Sequence, residues 1–419
     1  MSHSLKKEIT FSSGVAQLST TLLGTGLFMI PAIAAGLAAE YSLWAWLLLF
    51  IAITPIALTF ARLGRQYPNA GGTAYFARLA FNPRVERAIA WLFVSVIPVG
   101  LPAAITLAAG FAQQWLPAPL DTPLISQTIT VALLLGANLA GSKSSAQIQT
   151  VIALGIASLL IAFYMMGDVT VRDITLPPMD SEHLPLIGSA IAVMFWCFVG
   201  IEAFAHMGEE FKNPERDFPL AIVVGCFVAA IAYFACSVVI LKFNAYGSAQ
   251  FEHASIPWIS DILFGSQASL LISILGFLAC FASINLYTQS FARMIWSRAR
   301  DGQPHSRVAK LSSRGVPVYA TLLAVGISYI STVIGQITSF DLAAFLQLAN
   351  GIFVFVYFIA MLAASRLLTG GYRLLAYFSV VICGAVFVCL GLSMIYAITI
   401  FLLLLLPIKV RHKDKSIAV

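Results

Sequence analysis

The sequence predicts an all-α protein that crosses a membrane about twelve times. Three observations carry that expectation: too little charge for a water-soluble globule, a series of long apolar runs, and basic residues confined to alternate gaps between them. Apolar residues fill 60% of the 419 positions and charged residues only 10%, against about 25% charge in ordinary soluble domains. At least ten runs of about twenty apolar residues each match the helix length needed to cross a hydrocarbon core of roughly 30 Å. The alternating short segments of a lipid-spanning barrel are not seen. A helix bundle follows, because lipid offers backbone polar groups no partners outside the chain.

The spans are read at 12–38, 41–62, 88–116, 124–142, 145–167, 185–207, 218–243, 259–292, 316–337, 341–365, 373–391 and 393–408. The last two are separated only by Gly391-Leu392-Ser393, but the apolar stretch from Leu374 to Ile408 is too long for one crossing. The first run is too long for a signal-peptide core, and more spans follow it. Charge tests the map. With the N-terminus in the cytoplasm, 22 of the 24 Lys and Arg fall in inside segments, and only Arg172 and Lys242 fall outside. The positive-inside rule therefore places both termini in the cytoplasm of an inner-membrane protein. The net charge of +6 is assigned to topology rather than to a nucleic-acid partner. The expected organisation is a single transmembrane domain over residues 1–419.

Span 1 contains Gly24-Thr25-Gly26 near its centre, with Pro31 beyond it. Two glycines weaken a helix in mid-span and leave the backbone bare for close approach. If the helix unwinds there, the N–H groups opening its second half suit a carboxylate. A small-residue packing face between helices explains the same glycines equally well. Span 6 places Gly200 beside Glu202 well inside an apolar run. A mid-membrane carboxylate costs roughly 2.5–3.5 kcal/mol on insertion scales, so Glu202 is a functional candidate, with a neutral packing Glu as the alternative. Breaks in spans 1 and 6 lie five spans apart, the spacing of two inverted five-helix repeats with a site at the midplane.

Several motifs then occur in order along the chain. They are Gly24-Thr25-Gly26-Leu27-Phe28 with Pro31; Ala61-Arg62-Leu63-Gly64; and Tyr67-Pro68-Asn69-Ala70-Gly71-Gly72-Thr73-Ala74-Tyr75. Phe198-Val199-Gly200-Ile201-Glu202, the run Glu209 to Pro219, Ala299 to Pro304 and Arg314-Gly315-Val316-Pro317 complete the set. Together they resemble the amino acid–polyamine–organocation transporter superfamily, over nearly the whole length. Within it the chain is most similar to bacterial exporters of methionine and branched-chain amino acids. The resemblance implies a leucine-transporter-type fold: one repeat over about 12–167, a second over about 185–365, and two additional helices over about 373–408. It also implies secondary transport of a neutral amino acid, most directly efflux of L-methionine, leucine, isoleucine and valine.

Carried over by position, the resemblance implies that a substrate carboxylate meets the Thr25 hydroxyl and the Thr25 and Gly26 N–H groups. The ammonium meets carbonyls near Leu22, Trp196 and Val199, and Trp196 or Phe198 closes over the substrate as an aromatic gate. Two positions depart from the family pattern. Arg62 stands where many relatives have an acidic residue. Ile156 matches the place of a span 5 lysine that stands in for sodium, and this leaves Glu202 as the only mid-span carboxylate available for proton coupling.

Other polar residues carry two readings each. His206, four residues after Glu202, is a proton relay or a solvated helix-end histidine. Ser283, Asn285 and Asn350 line a cavity or bridge helices. Pro98, Gly100 and Pro102 predict an irregular stretch in span 3. Asn213-Pro214-Glu215 is placed at the opening of span 7 and is read as a structural or gating loop rather than a site. Trp44, Trp46, Trp91 and Trp115 are assigned to lipid-facing and interfacial positions.

The six cysteines, Cys197, Cys226, Cys236, Cys280, Cys383 and Cys389, lie in apolar runs without a C-x-x-C pair, and are read as packing residues. No cofactor or metal is expected. The expected partners are an amino-acid substrate, the lipid bilayer and protons. An importer or exchanger with the same site is the nearest alternative, since alternating access is reversible. A membrane enzyme or sensor is disfavoured by six scattered histidines and by the lack of a P-loop.

Overall fold

The computed structural model describes residues 7–302, 304–338, 342–391 and 394–406. Lys6, Leu392, Ser393 and the basic tail from Lys409 to Lys415 lie outside the described residues, as does the end of the twelfth expected span. Among the described residues secondary structure is helical throughout, apart from one isolated parallel bridge between Ile9 and Phe211.

The first span is two helices, α1 (Phe11–Gly26) and α2 (Ile30–Ala38), bent by 53°. Thr10 caps α1, with its amide donating to the Ser13 hydroxyl at 2.9 Å. The break is centred on Leu27–Met29, later than the glycines that announced it. Pro31 explains the position. It has no N–H to donate back to Leu27, and it is well placed in the first turn of a new helix.

Helix α3 (Tyr41–Gln66) is followed by α4 (Gly72–Ala80), a short amphipathic helix in a segment expected to be a loop. Span 3 divides into α5 (Pro83–Val94) and α6 (Gly100–Gln113) around turns at Ser95 to Val99. This is the irregularity expected of Pro98 and Gly100. Asn82 caps α5 by accepting the Arg84 and Val85 amides at 2.9 and 3.1 Å. Helices α7 (Pro123–Ala140) and α8 (Ser142–Met166) follow.

Span 6 is broken more thoroughly. Helix α9 (Leu184–Met194) tightens into a 3₁₀ turn over Phe195–Phe198. Gly200 then takes φ 142°, a conformation open to glycine, before α10 (Ile201–Phe204) and a second 3₁₀ segment over Ala205–Glu210. Helix α11 (Asp217–Lys242) begins at Asp217, so Asn213 to Glu215 precede it rather than open it. The remaining helices are α12 (Ala249–Phe264), α13 (Ser266–Gly302), α14 (Val318–Thr338), α15 (Leu342–Leu367), α16 (Gly371–Cys389) and α17 (Met394–Leu405).

The eighth span differs from its expected 259–292. Residues 259–264 end α12, and Gly265 at φ 80° turns the chain into α13. Helix α13 then runs on to Gly302 because charge ends an apolar run without ending a helix. Its Arg298 pairs with Glu86 at 3.0 Å, and its Arg300 lies over the Trp296 ring.

Among the described residues, nine helices are long and apolar enough to cross a membrane, and the bent α1–α2 pair makes ten. Helices α5, α6 and α17 are shorter. Large apolar side chains lie open on the outer faces, including Ile337 (78% exposed), Met165 (77%) and Val388 (76%). In water such a surface would aggregate; in a bilayer it is the lipid contact. Helix α1 occupies the centre, against α11, α13 and α8.

Of the two basic residues expected outside, Lys242 is held by Asp173 at 3.0 Å. The Thr170 amide, and then Lys242, hold the Asp173 carboxyl below its usual range. This tether contributes stability above the ordinary carboxylate pKa, and it is lost only as pH falls through the lowered value.

The Asn82 cap gives a simple test of the α5 boundary. Asn82→Ala is expected to cost about 1 kcal/mol, read as a lower thermal midpoint in detergent; an unchanged midpoint would show that the cap is dispensable.

Candidate functional site

The two breaks meet at the middle of the bundle, and side chains of neighbouring helices bond to backbone carbonyls around them. The Leu22 carbonyl accepts the Tyr233 hydroxyl at 2.6 Å, and the Thr21 carbonyl accepts Ser283 at 2.8 Å. The Gly24 carbonyl accepts the Cys280 thiol at 3.3 Å. In span 6, Tyr357 donates to the Phe198 carbonyl at 2.7 Å and Ser290 to the Ala203 carbonyl at 2.8 Å. Side chains of α11, α13 and α15 therefore tie down the backbone on either side of the breaks.

A narrow cavity of about 30 Å³ lies between the breaks, far below the range for an open ligand site, so the walls are closed together in this conformation. Its polar lining is Thr25, Ser283, Tyr287 and the Trp196 indole. Its walls are apolar, with Val96, Leu101, Ile284, Phe291 and Phe353 around it. No charged side chain lines it. The Trp196 indole donates to the Thr25 hydroxyl at 3.4 Å, which joins the two broken spans across the cavity.

The residues singled out in the sequence separate here. Thr25 and Trp196 reach the cavity; Leu22, Gly26, Val199 and Phe198 do not. Thr25 and Gly26 close the last turn of α1, so their N–H groups lie within a helix in this conformation. The Trp196 carbonyl accepts the Val199 amide at 3.1 Å. Of the two gate candidates, Phe198 is buried against Phe50 and Tyr233, and only Trp196 borders the cavity.

The glycines also have a packing role in this conformation. A Cβ on Gly24 would collide with the Ala279 carbonyl, and one on Gly26 with the Tyr233 hydroxyl. Both are required for α1 to lie close to α13 and α11.

Glu202 lies behind the cavity, fully buried. Its carboxylate accepts the Gly200 amide at 2.8 Å, and the Tyr287 hydroxyl donates to it at 3.0 Å. Since Tyr287 lines the cavity, it connects Glu202 to the site. His206 is not a solvated helix end. It is buried, bonded through Nδ1 to the Ala70 carbonyl at 3.0 Å and packed on Phe93, because the Tyr67–Tyr75 loop folds over it. Ala70 also donates its amide to Glu209 at 3.1 Å. Asn285 accepts from Asn138 at 2.8 Å, which is the helix-bridging role, whereas Ser283 both bridges and lines the cavity.

Trp46 is not at the lipid surface. It is fully buried, bonded to Ser237 at 2.6 Å and stacked on Tyr233, the residue that satisfies Leu22. Trp91, by contrast, is half exposed, as expected. Tyr233, Tyr287 and Tyr357 were not singled out in the sequence. The available signal was a phenol in the middle of an apolar run, where a hydroxyl needs a partner. Five cysteines are buried free thiols, in keeping with packing; the Cys389 side chain lies outside the described set. Among the described residues, no cluster of His, Cys, Asp and Glu is arranged to hold a metal.

A family model described as amino acid permease matches residues 16–419. The chain belongs to the amino acid permease family. It is 45% identical to the L-methionine/branched-chain amino acid exporter YjeH of Escherichia coli K12, over 96% of this chain and 97% of the relative. It is 26% identical to the uncharacterized amino acid permease YecA of Bacillus subtilis 168, over 87% and 86% of the two chains. It is 22% identical to the cadaverine/lysine antiporter of E. coli K12, over 76% and 72%. Membership identifies this permease as a multi-pass membrane transporter rather than an enzyme, as the sequence motifs imply.

If the glycines serve packing, Gly24→Ala and Gly26→Ala should each destabilise the permease by about 1–3 kcal/mol. Thermal unfolding in detergent measures this. Unchanged stability with lost substrate binding would assign the glycines to ligand approach instead.

Proposed function

We propose that this permease exports neutral amino acids, chiefly L-methionine, leucine, isoleucine and valine, by secondary active transport with alternating access. The observation that carries the substrate class is the cavity: three hydroxyls and an indole for the polar end, apolar walls for the side chain, and no charge to pair with a charged side chain. The name of the E. coli relative supplies the direction and the particular amino acids. The distribution of Lys and Arg supports an inner-membrane location with both termini in the cytoplasm. On this reading the α5–α6 pair and α17 complete twelve crossings, and residues 12–167 and 185–365 form the two inverted repeats.

In the proposed binding mode the carboxylate meets the Thr25 hydroxyl. Engaging the Thr25 and Gly26 amides requires the last turn of α1 to unwind, a change that two glycines make less costly. Unwinding also releases carbonyls near Leu22, which with those of Trp196 and Val199 receive the ammonium. Trp196 acts as the gate.

The reading is tested by efflux of labelled methionine and leucine from preloaded cells, with the proton gradient intact and collapsed. Faster efflux with the protein present is expected; faster uptake would favour an importer, and no change in either would overturn the transport assignment for these substrates.

Proton coupling is assigned to Glu202 through Tyr287. Glu202→Gln retains an oxygen to accept the Gly200 amide, so the break should persist while the titrating group is removed. In reconstituted vesicles this variant is expected to lose the pH dependence of transport. Full retention of that dependence would exclude Glu202 as the coupling residue.

A further inference from the structure

A second, larger recess lies on the outer surface between α3 and α11, away from the transport cavity. It is an apolar groove of about 640 Å³, bordered by Phe50, Ala57, Tyr164, Phe227, Ala230 and Phe234. At the Arg-rich end of the same two helices it opens into a recess of about 340 Å³ lined by Arg62, Arg65, Arg216, Glu215 and Tyr372. The two are continuous, since Leu58 and Val223 border both.

The arginines there do not serve internal ion pairs. Among the described residues, no carboxylate lies within ion-pair distance of Arg62, Arg65 or Arg216. Arg62 Nε is buried without a hydrogen-bond partner, and its guanidinium is held over the Tyr372 ring at 4.8 Å. Three arginines and one glutamate leave the recess with a net positive charge. Topology alone asks only that basic residues occur in the inside loops. It does not ask for three arginines without ion-pair partners at the mouth of an apolar groove.

We propose that this continuous recess binds an anionic phospholipid, with its phosphate on Arg62, Arg65 and Arg216 and one acyl chain along the α3–α11 groove. An apolar groove at membrane depth is filled by lipid chains in any bilayer, and the charge at its end selects the headgroup. The planar donors of arginine match phosphate oxygens in pairs. In the orientation proposed above, this end faces the cytoplasmic leaflet, where anionic lipids attract basic side chains. Tyr164 of α8 and Tyr372 of α16 border the groove and the recess, so a lipid seated there touches four helices.

The test uses the full-length permease in mild detergent, offered equal amounts of dioleoyl phosphatidylglycerol and dioleoyl phosphatidylcholine, with retained lipid counted by native mass spectrometry. Preferential retention of phosphatidylglycerol by about tenfold is expected from the net charge of the recess. The Arg62→Gln, Arg65→Gln, Arg216→Gln triple variant should lose the preference, and Arg65→Gln alone, at an exposed position, should reduce it. Ala230→Phe fills the groove without touching the arginines and should lower retention of both lipids. Equal retention by the unmodified protein, or a preference that survives the triple variant, would overturn the site. Displacement of the lipid by inorganic phosphate, with Ala230→Phe silent, would assign the arginines to a soluble anion and overturn it as well.

Discussion

The structure depends on one constraint: inside lipid, every backbone N–H and C=O must find a partner within the protein. An unbroken helix meets it automatically. This permease interrupts two helices at the centre of the bundle, where Tyr233, Ser283, Cys280, Tyr357 and Ser290 donate to backbone carbonyls in and beside the interrupted segments. Glu202 accepts the Gly200 amide. The same requirement explains why a carboxylate is tolerated at this depth. Glu202 is held by the break that it helps to stabilise, and its second oxygen is reached by a phenol from the cavity wall.

The residues beyond the second break form a compact polar layer. The Tyr67–Tyr75 loop bonds to His206 and Glu209, Glu210 pairs with the buried Arg293, and the N-terminal segment joins through Ile9, whose amide donates to the Glu210 carbonyl at 3.0 Å. These contacts draw one end of the bundle together around the segment that follows Glu202. A shift in span 6 is therefore felt by the loop after α3 and by α13, because both hold it through hydrogen bonds rather than through apolar contact alone.

Much of this architecture was legible in the sequence, because lipid imposes simple rules on composition and length. The spans, the breaks and the irregular stretch near Pro98 follow from apolar run length and from glycine and proline. Boundaries were legible only where a breaker marks them. Gly265 divides what reads as one apolar run, and α13 outlasts its own apolar run because arginines are good helix formers. Half of the site was legible as well. Thr25 and Glu202 carry polar atoms inside apolar runs and stand out, and Trp196 is implied only by the family resemblance, whereas Tyr233, Tyr287 and Tyr357 are hidden among other aromatics. The burial of Trp46 and His206 depends on contacts from helices and loops distant in the chain. Gly24 and Gly26 illustrate the deeper limit: a glycine signals that something approaches closely, and only the three-dimensional arrangement shows that here it is a neighbouring helix.

Helix α13 is continuous for 37 residues, about 55 Å at 1.5 Å per residue, nearly twice the thickness of the hydrocarbon core. It touches the cavity through Ser283 and Tyr287, and it holds Glu210 and Glu86 through Arg293 and Arg298 farther along. From Tyr287 to its end is about 22 Å. A rigid rod pivoting at the cavity by about 10° would carry its far tip through about 4 Å, comparable with the reach of an ion pair. Helix α13 thus has the proportions of a lever, in which a small displacement at the substrate becomes a large one at the membrane surface.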